Sequence, residues 1–277
     1  MADNHNEVTD TTKAYYDSDD AQNFYYLLWG GEDLHLGIYE RPDEPIADAS
    51  RRTILRMASL VPGLDDQMHV LDLGGGFSGS ARRLAKNFGC NVTVLNLSER
   101  ENERGRRMNA EQGLADKITV VDGCFEDVPF DDGHFDVVWS QDAILHSSDR
   151  DKVISEAARV LKPGGHLVFT DIMMTDQCPP DVLQPIFDRI HLNSLGSQSF
   201  YRQAAAANGL MEVEYIDLDE HLPHHYQRVL DELEAKEQAV SEVISDAYRT
   251  NMKTGLRHWV NGGRNGYLTW GILHFQK

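Results

Sequence analysis

Two stretches of this chain have the residue types and spacing for chemistry. The first is VLDLGGGFSGSARRLA, residues 70–85, in which Asp72 is followed by Gly74, Gly75, Gly76 and Gly79. Glycine accepts backbone angles closed to other residues and lets the chain pass close against a bound cofactor. Dinucleotide enzymes use a similar turn, so this motif alone does not name a reaction. The second stretch is WSQDAILHSSDR, residues 139–150, which carries Asp142 and His146. An imidazole titrates near neutrality and can take a proton or hold one in a hydrogen bond.

Strands and helices must bring these stretches together. The residues before Asp72 predict a strand, the glycines a tight turn, and the run after them a helix start. Further strands are predicted at VTVLN (92–96), ending in Asn96, and at ITVVD (118–122), ending in Asp122 and running into GCFEDVPF. HFDVVWSQDAILH supplies a fourth that ends in the turn with Asp142 and His146. LKPGGHLVFTD (161–171) opens a fifth, and GYLTWGILHFQK is a last strand. Apolar spacing predicts helices over 46–61, 98–112, 150–161 and 200–208. Strands alternating with helices imply an α/β fold, a parallel sheet with right-handed crossovers. Ligands of such open sheets bind at the carboxyl ends of the strands, where these motifs finish. Residues 224–247, with Tyr226, Leu230, Leu233, Val240 and Ile244, read as one long amphipathic helix that caps the site, packs on its own domain or pairs with a second copy.

Composition narrows the partners. The 277 residues are 41% hydrophobic, enough for a buried core, and carry a formal charge of −19. Such a surface repels phosphate backbones and anionic lipid, so neither nucleic acid nor membrane is expected as a substrate. The same excess of acid suits either a merely acidic protein or a halophilic or salt-stressed host. No apolar run approaches the ~20 residues of a membrane helix. MADNHNEVTDTTK is polar and acidic without an apolar core, so residues 1–12 read as a disordered lead-in with no secretion signal. Three cysteines, Cys90, Cys124 and Cys178, have no metal-like spacing and an odd count, which fits a reducing cytoplasm and no metal site.

The order of these motifs resembles the class I S-adenosylmethionine-dependent methyltransferases, whose glycine turn reads roughly Asp-x-Gly-x-Gly. The resemblance implies a Rossmann-like seven-stranded sheet with an antiparallel last strand, and S-adenosylmethionine as cofactor. It places the glycine turn under the methionine part of that molecule, carrying Gly74 and Gly76 over directly, with Asp72 holding the loop or the amino group. Asn96 stands where most members have an acid for the ribose hydroxyls; its amide can accept one hydrogen bond and donate another. By the same resemblance Leu97 lies against adenine, Asp122 accepts from the adenine amino group, Cys124 and Phe125 flank the ring, and Gln141 also meets the cofactor. For Cys124, plain packing is the alternative.

YYDSDDAQNFYYLLWGGEDLHLGIY (15–39), WSQDAILHSSDR, FYRQ (200–203) and HWVNGGRNGYLTWG (258–271) sharpen this. Together they resemble the sarcosine/dimethylglycine N-methyltransferases of glycine betaine synthesis, over nearly the whole chain. The phosphoethanolamine methyltransferases, sharing the DAILH pattern and an aromatic N-terminal lid, are a more distant likeness. A cyclopropane-forming lipid methyltransferase is suggested by NLSEREN, and a cofactor-binding regulator without turnover is the non-enzymatic alternative. The closer resemblance implies a single domain over 13–277, with a lid at 13–45 and substrate-capping insertions at 176–200 and 221–260.

Methyl transfer to an amine is an in-line displacement that rewards alignment and needs an unprotonated nitrogen. The resemblance makes His146 the proton acceptor, with Tyr16 as its lid partner, or else a latch that holds the lid by a hydrogen bond. A quaternary product favours aromatic faces, about 0.5–2 kcal/mol each, with Tyr26 and Trp29 as candidates. An arginine fork suits the substrate carboxylate. Arg189, in QPIFDRIHL, is where the phosphoethanolamine enzymes place a substrate arginine, with surface salt-bridging as its alternative. Met173 and Tyr201 complete the expected pocket. The substrate is a small amine, sarcosine or dimethylglycine, and the oligomeric state is open.

Overall fold

Val70, Leu71 and Leu73 are wholly buried, on both faces of the first strand, β1 (His69–Leu73). Burial on both faces belongs to a central parallel strand covered by helices on either side. The computed structural model describes residues 17–190, 192 and 194–277; the lead-in at 1–12 and Tyr16 lie outside them. Around β1 stand β2 (Asn91–Asn96), β3 (Ile118–Asp122), β4 (Phe135–Gln141), β5 (Leu161–Met174), β6 (Met211–Asp217) and β7 (Leu268–Gln276). Their order across the sheet is β3-β2-β1-β4-β5-β7-β6. The first five strands run parallel, and β7 lies antiparallel between β5 and β6. The seven-stranded sheet with an antiparallel last strand is the one expected.

Helices follow the apolar spacing. α1 (Asp19–Phe24) begins on Ser18, whose side chain caps Ala21, and runs into a wide π turn at Tyr25–Trp29. α2 (Ile46–Ala58) buries Ile46, Ala49, Thr53 and Met57, a single stripe at three- and four-residue steps. α3 (Gly79–Phe88), α4 (Glu99–Glu111), α5 (Arg150–Val160), α6 (Gln184–Ile190) and α7 (Gln198–Ala207) complete the crossovers.

Two elements depart from expectation. β6 was not anticipated; it is an edge strand with Met211 and Val213 more than half exposed. The helix predicted over 224–247 is broken. α8 (His221–Ala235) stops, a short α9 (Glu237–Val240) follows, and Ser245 caps a new helix, α10 (Asp246–Arg264), by accepting from Tyr248. The break lets the chain fold back, so that Tyr226 of α8 stacks on Trp259 of α10 at 5.1 Å. Among the described residues no helix is long and apolar enough to cross a membrane.

The segment from Gly30 to Tyr39 is a strap over the carboxyl ends of the strands. Its backbone donors from Leu36 to Tyr39 are taken up one by one. Leu36 donates to Asp142 (2.7 Å), Gly37 to Nδ1 of His225 (3.1 Å), Ile38 to Thr53 (3.1 Å) and Tyr39 to Nδ1 of His221 (3.2 Å). The Tyr39 hydroxyl lies 3.0 Å from the same His225 nitrogen. A nitrogen accepting these bonds carries no proton, and burial holds the His225 pKa down near 3.

Candidate active site

One large cavity opens where β1, β2, β3 and β4 end, enclosing about 1040 Å³ of empty space including the part open to solvent. The glycine turn forms its floor. Gly74 and Gly76 have φ of +73° and +49°, angles that other residues adopt only under strain. A Cβ on Gly74 would lie 2.5 Å from that of Ala143, and one on Gly76 would lie 2.9 Å from Leu34. On Gly79 it would collide with the Glu32 carbonyl and the Asp33 carboxylate. The turn is therefore packed between the strap and the loop after β4.

Several buried polar atoms in the wall lack a hydrogen-bond partner: Asp72 Oδ2, Asp33 Oδ1, His35 Nε2 and Gln141 Nε2. Each such atom costs about 1–3 kcal/mol if nothing meets it. The Gln141 amide is oriented unambiguously, because the Trp139 indole can only donate and its Nε1 lies 2.9 Å from Gln141 Oε1. The Ser80 hydroxyl donates to the same oxygen at 2.6 Å. Two N–H donors of Gln141 are thereby turned away from these partners. Burial pushes Asp72 up to about 7 and raises Asp33 as well. Two carboxylates and an amide donor on the wall of one cavity complement the ammonium and carboxylate of an amino-acid group, such as that of S-adenosylmethionine.

At the next strand end, Asn96 is held by α4. Its Nδ2 donates to Glu101 (3.0 Å) and to Asn102 (3.1 Å). Glu101 faces the cavity with its residue 4% exposed, and burial raises its carboxyl to about 7. Ser98 fixes it by capping the Glu101 amide at 3.2 Å. A strand-end acid for the ribose is absent, and an acid one helical turn on stands in the wall instead. Leu97, Cys124 and Phe125 also line the cavity. Asp122 does not. Its two oxygens are engaged by Asn102 (2.8 Å) and Arg106 (2.5 Å).

The catalytic candidates sit across the cavity. Asp142, at φ +51°, accepts from the strap through one oxygen and from the Trp270 indole through the other (2.8 Å). His146 ends a short 3₁₀ turn, Ile144–His146, and lines the same space. That turn is pinned from beneath. Asp171 accepts from the Leu145 amide (3.0 Å) and from the Tyr201 hydroxyl (2.5 Å), and Arg150 donates to the Leu145 carbonyl (2.8 Å). Burial, then the cations of Arg150 and Arg189, hold the His146 pKa down near 4.

The remaining expected substrate contacts lie outside the wall of this cavity. Tyr201 is fully buried and supports the His146 turn through Asp171, and Met173 is fully buried in the sheet. Trp29 packs among Phe24, Tyr25, His225 and Tyr226. Tyr26 is 39% exposed under Arg104, whose guanidinium lies 3.9 Å from the ring centre. Arg189 crosses α10 and acts on His146 through its charge. Tyr25, Asp33, Leu34, His35 and Glu101 line the cavity and were not expected.

A methyltransferase-domain profile matches residues 71–169, from the first strand into the fifth. The chain is 55% identical to a sarcosine/dimethylglycine N-methyltransferase of Halorhodospira halochloris, over 98% of this chain and 97% of that one. It is 54% identical to an enzyme of the same name from Aphanothece halophytica, covering 98% of both. Among solved structures, one from Galdieria sulphuraria, provisionally assigned as a sarcosine dimethylglycine methyltransferase, superposes with a TM-score of 0.90 at 43% identity. It covers 95% of this chain and 98% of that one. With the sheet, the glycine turn and the cavity in agreement, the chain belongs to the sarcosine/dimethylglycine N-methyltransferase family, whose methyl donor is S-adenosylmethionine.

Proposed function

We propose that the protein methylates the nitrogen of sarcosine and dimethylglycine, ending in glycine betaine, and that it does so in the cytoplasm without nucleic-acid or membrane partners. The observation that carries this is the shared cavity: the glycine turn with its unmet polar atoms and the His146 turn open into one space. When bound, S-adenosylmethionine supplies a methyl group activated on a sulfonium.

The chain's own residues do the rest. Asp72, Asp33 and Gln141 hold the amino-acid end of the donor over Gly74 and Gly76. Glu101, steadied by Asn96, receives the ribose, and Leu97, Cys124 and Phe125 flank the base. Glu101→Gln is expected to weaken S-adenosylhomocysteine binding about tenfold, since the amide loses one acceptor and the Asn96 bond is disturbed. Calorimetry checks this, and unchanged affinity would remove Glu101 from the ribose site.

Arg189 takes the substrate carboxylate, and His146 faces the amine as the acceptor of its proton. Arg189→Lys keeps the charge and loses the fork. It is expected to raise KM for dimethylglycine about tenfold with donor affinity unaltered. Unaltered kinetics would move the clamp to another cation, with Arg150 first in line. The decisive test of the reaction is a mass-spectrometric assay with glycine, sarcosine, dimethylglycine and phosphoethanolamine as acceptors. Betaine from dimethylglycine is expected; methylation of phosphoethanolamine alone, or of none, overturns the reading.

A further inference from the structure

Gly255 lies in the interior of α10, nine residues before its end at Arg264. It caps nothing, and its φ is outside the positive range that would require glycine. In such a position glycine costs about 1 kcal/mol relative to alanine. The helix therefore has no reason of its own to carry glycine here.

The reason lies across the helix. A Cβ on Gly255 would meet Arg189: Cδ at 2.5 Å, Cζ at 2.6 Å, and Nε closer still. The arginine stem crosses α10 where Gly255 leaves out a side chain, and its guanidinium reaches the sulfur of Met252, one turn earlier. From there its charge acts on His146. We propose that Gly255 is a positioning residue, the seat over which Arg189 crosses α10 so that its guanidinium is held toward His146. The proposal rests on the reading of Arg189 as the carboxylate clamp.

The colliding atoms are the far end of a flexible side chain, not backbone. Alanine at 255 is thus accommodated by the fold, and it is the arginine that moves. Stability and substrate affinity should part company: the helix gains from alanine while the clamp loses its place. Packing glycines behave otherwise. Gly262 of the same helix faces Leu268 and Ile186, and filling that space would strain the core.

The test compares Gly255→Ala, Arg189→Ala and the double variant. For Gly255→Ala we expect an equal or higher melting temperature, S-adenosylhomocysteine affinity within about twofold, and KM for dimethylglycine raised about tenfold with kcat little changed. In the Arg189→Ala background the glycine substitution should add nothing, because the residue it acts through is gone. Histidine NMR of the free protein reads the seat without substrate: with Arg189 displaced, the His146 pKa should rise. If Arg189→Ala raises KM and Gly255→Ala does not, the seat is overturned and the clamp stands. If the two effects add independently, Gly255 is only a packing residue and the proposal fails. If Arg189→Ala leaves KM unchanged, the clamp reading fails instead. The His146 titration in Gly255→Ala then decides the seat by itself, a rise supporting it and no change overturning it.

Discussion

Gly74→Val is expected to lose S-adenosylmethionine binding by a factor of about 100 or more, a cost of about 2.7 kcal/mol or greater. Two effects combine. A β-branched residue at φ +73° is strained by about 1–3 kcal/mol. Its Cβ would also stand 2.5 Å from that of Ala143, forcing the glycine turn and the loop after β4 apart. That loop carries both Asp142 and His146, so donor site and reaction site open together. Gly74→Ala keeps the collision with less strain and should lie between wild type and valine. Calorimetry with S-adenosylhomocysteine, alongside a thermal melt, separates lost binding from lost fold. Wild-type affinity in a folded Gly74→Val protein would show that the turn does not cradle the donor.

The strand-end motifs were legible because their physics is local. A glycine turn after an apolar strand, and strands alternating with helices, leave a pattern in neighbouring residues. Asn96 shows where local reading stops. The sequence shows a strand end without its acid, but nothing at that position says that Glu101 fills the role. Only the pitch of α4, fixed by the Ser98 cap, turns that carboxylate into the cavity. Asp122 shows another limit: its position suited a ligand, and nothing at that position says that Arg106, sixteen residues earlier, bonds one of its oxygens. The strap residues Asp33 and His35 were invisible because a segment without helix or strand periodicity takes its place only from contacts with Asp142, His221 and His225. The break after Ala235 is similarly nonlocal: apolar spacing continues through it, while the chain reverses so that Tyr226 can meet Trp259.

His146→Gln is expected to lower kcat by a factor of about 100 or more, the scale of positioned proton transfer. In the free enzyme burial and the cations of Arg150 and Arg189 keep the imidazole pKa near 4. It is therefore neutral from about pH 5 upward, able to accept a proton, and kcat/KM shows no histidine limb near neutrality. Over that range kcat/KM should climb only with deprotonation of the substrate ammonium. This revises the sequence-based expectation of a limb at an ordinary histidine pKa. Bound substrate changes the balance. Its carboxylate, set against Arg189, offsets one of the two cations that depress His146, so the imidazole becomes a better base once the substrate is seated. The profile of kcat, which reports the complex, should then have a limb lying above pH 4 that rises as imidazolium loses its proton. Glutamine can hydrogen-bond but cannot titrate, so in His146→Gln this limb should vanish along with most of the rate. If His146 served only to latch the lid, glutamine would keep the greater part of the activity and any limb in kcat, which would then belong to another group, and the proton would leave to water. Measuring kcat against pH for wild type and His146→Gln at saturating dimethylglycine distinguishes the two.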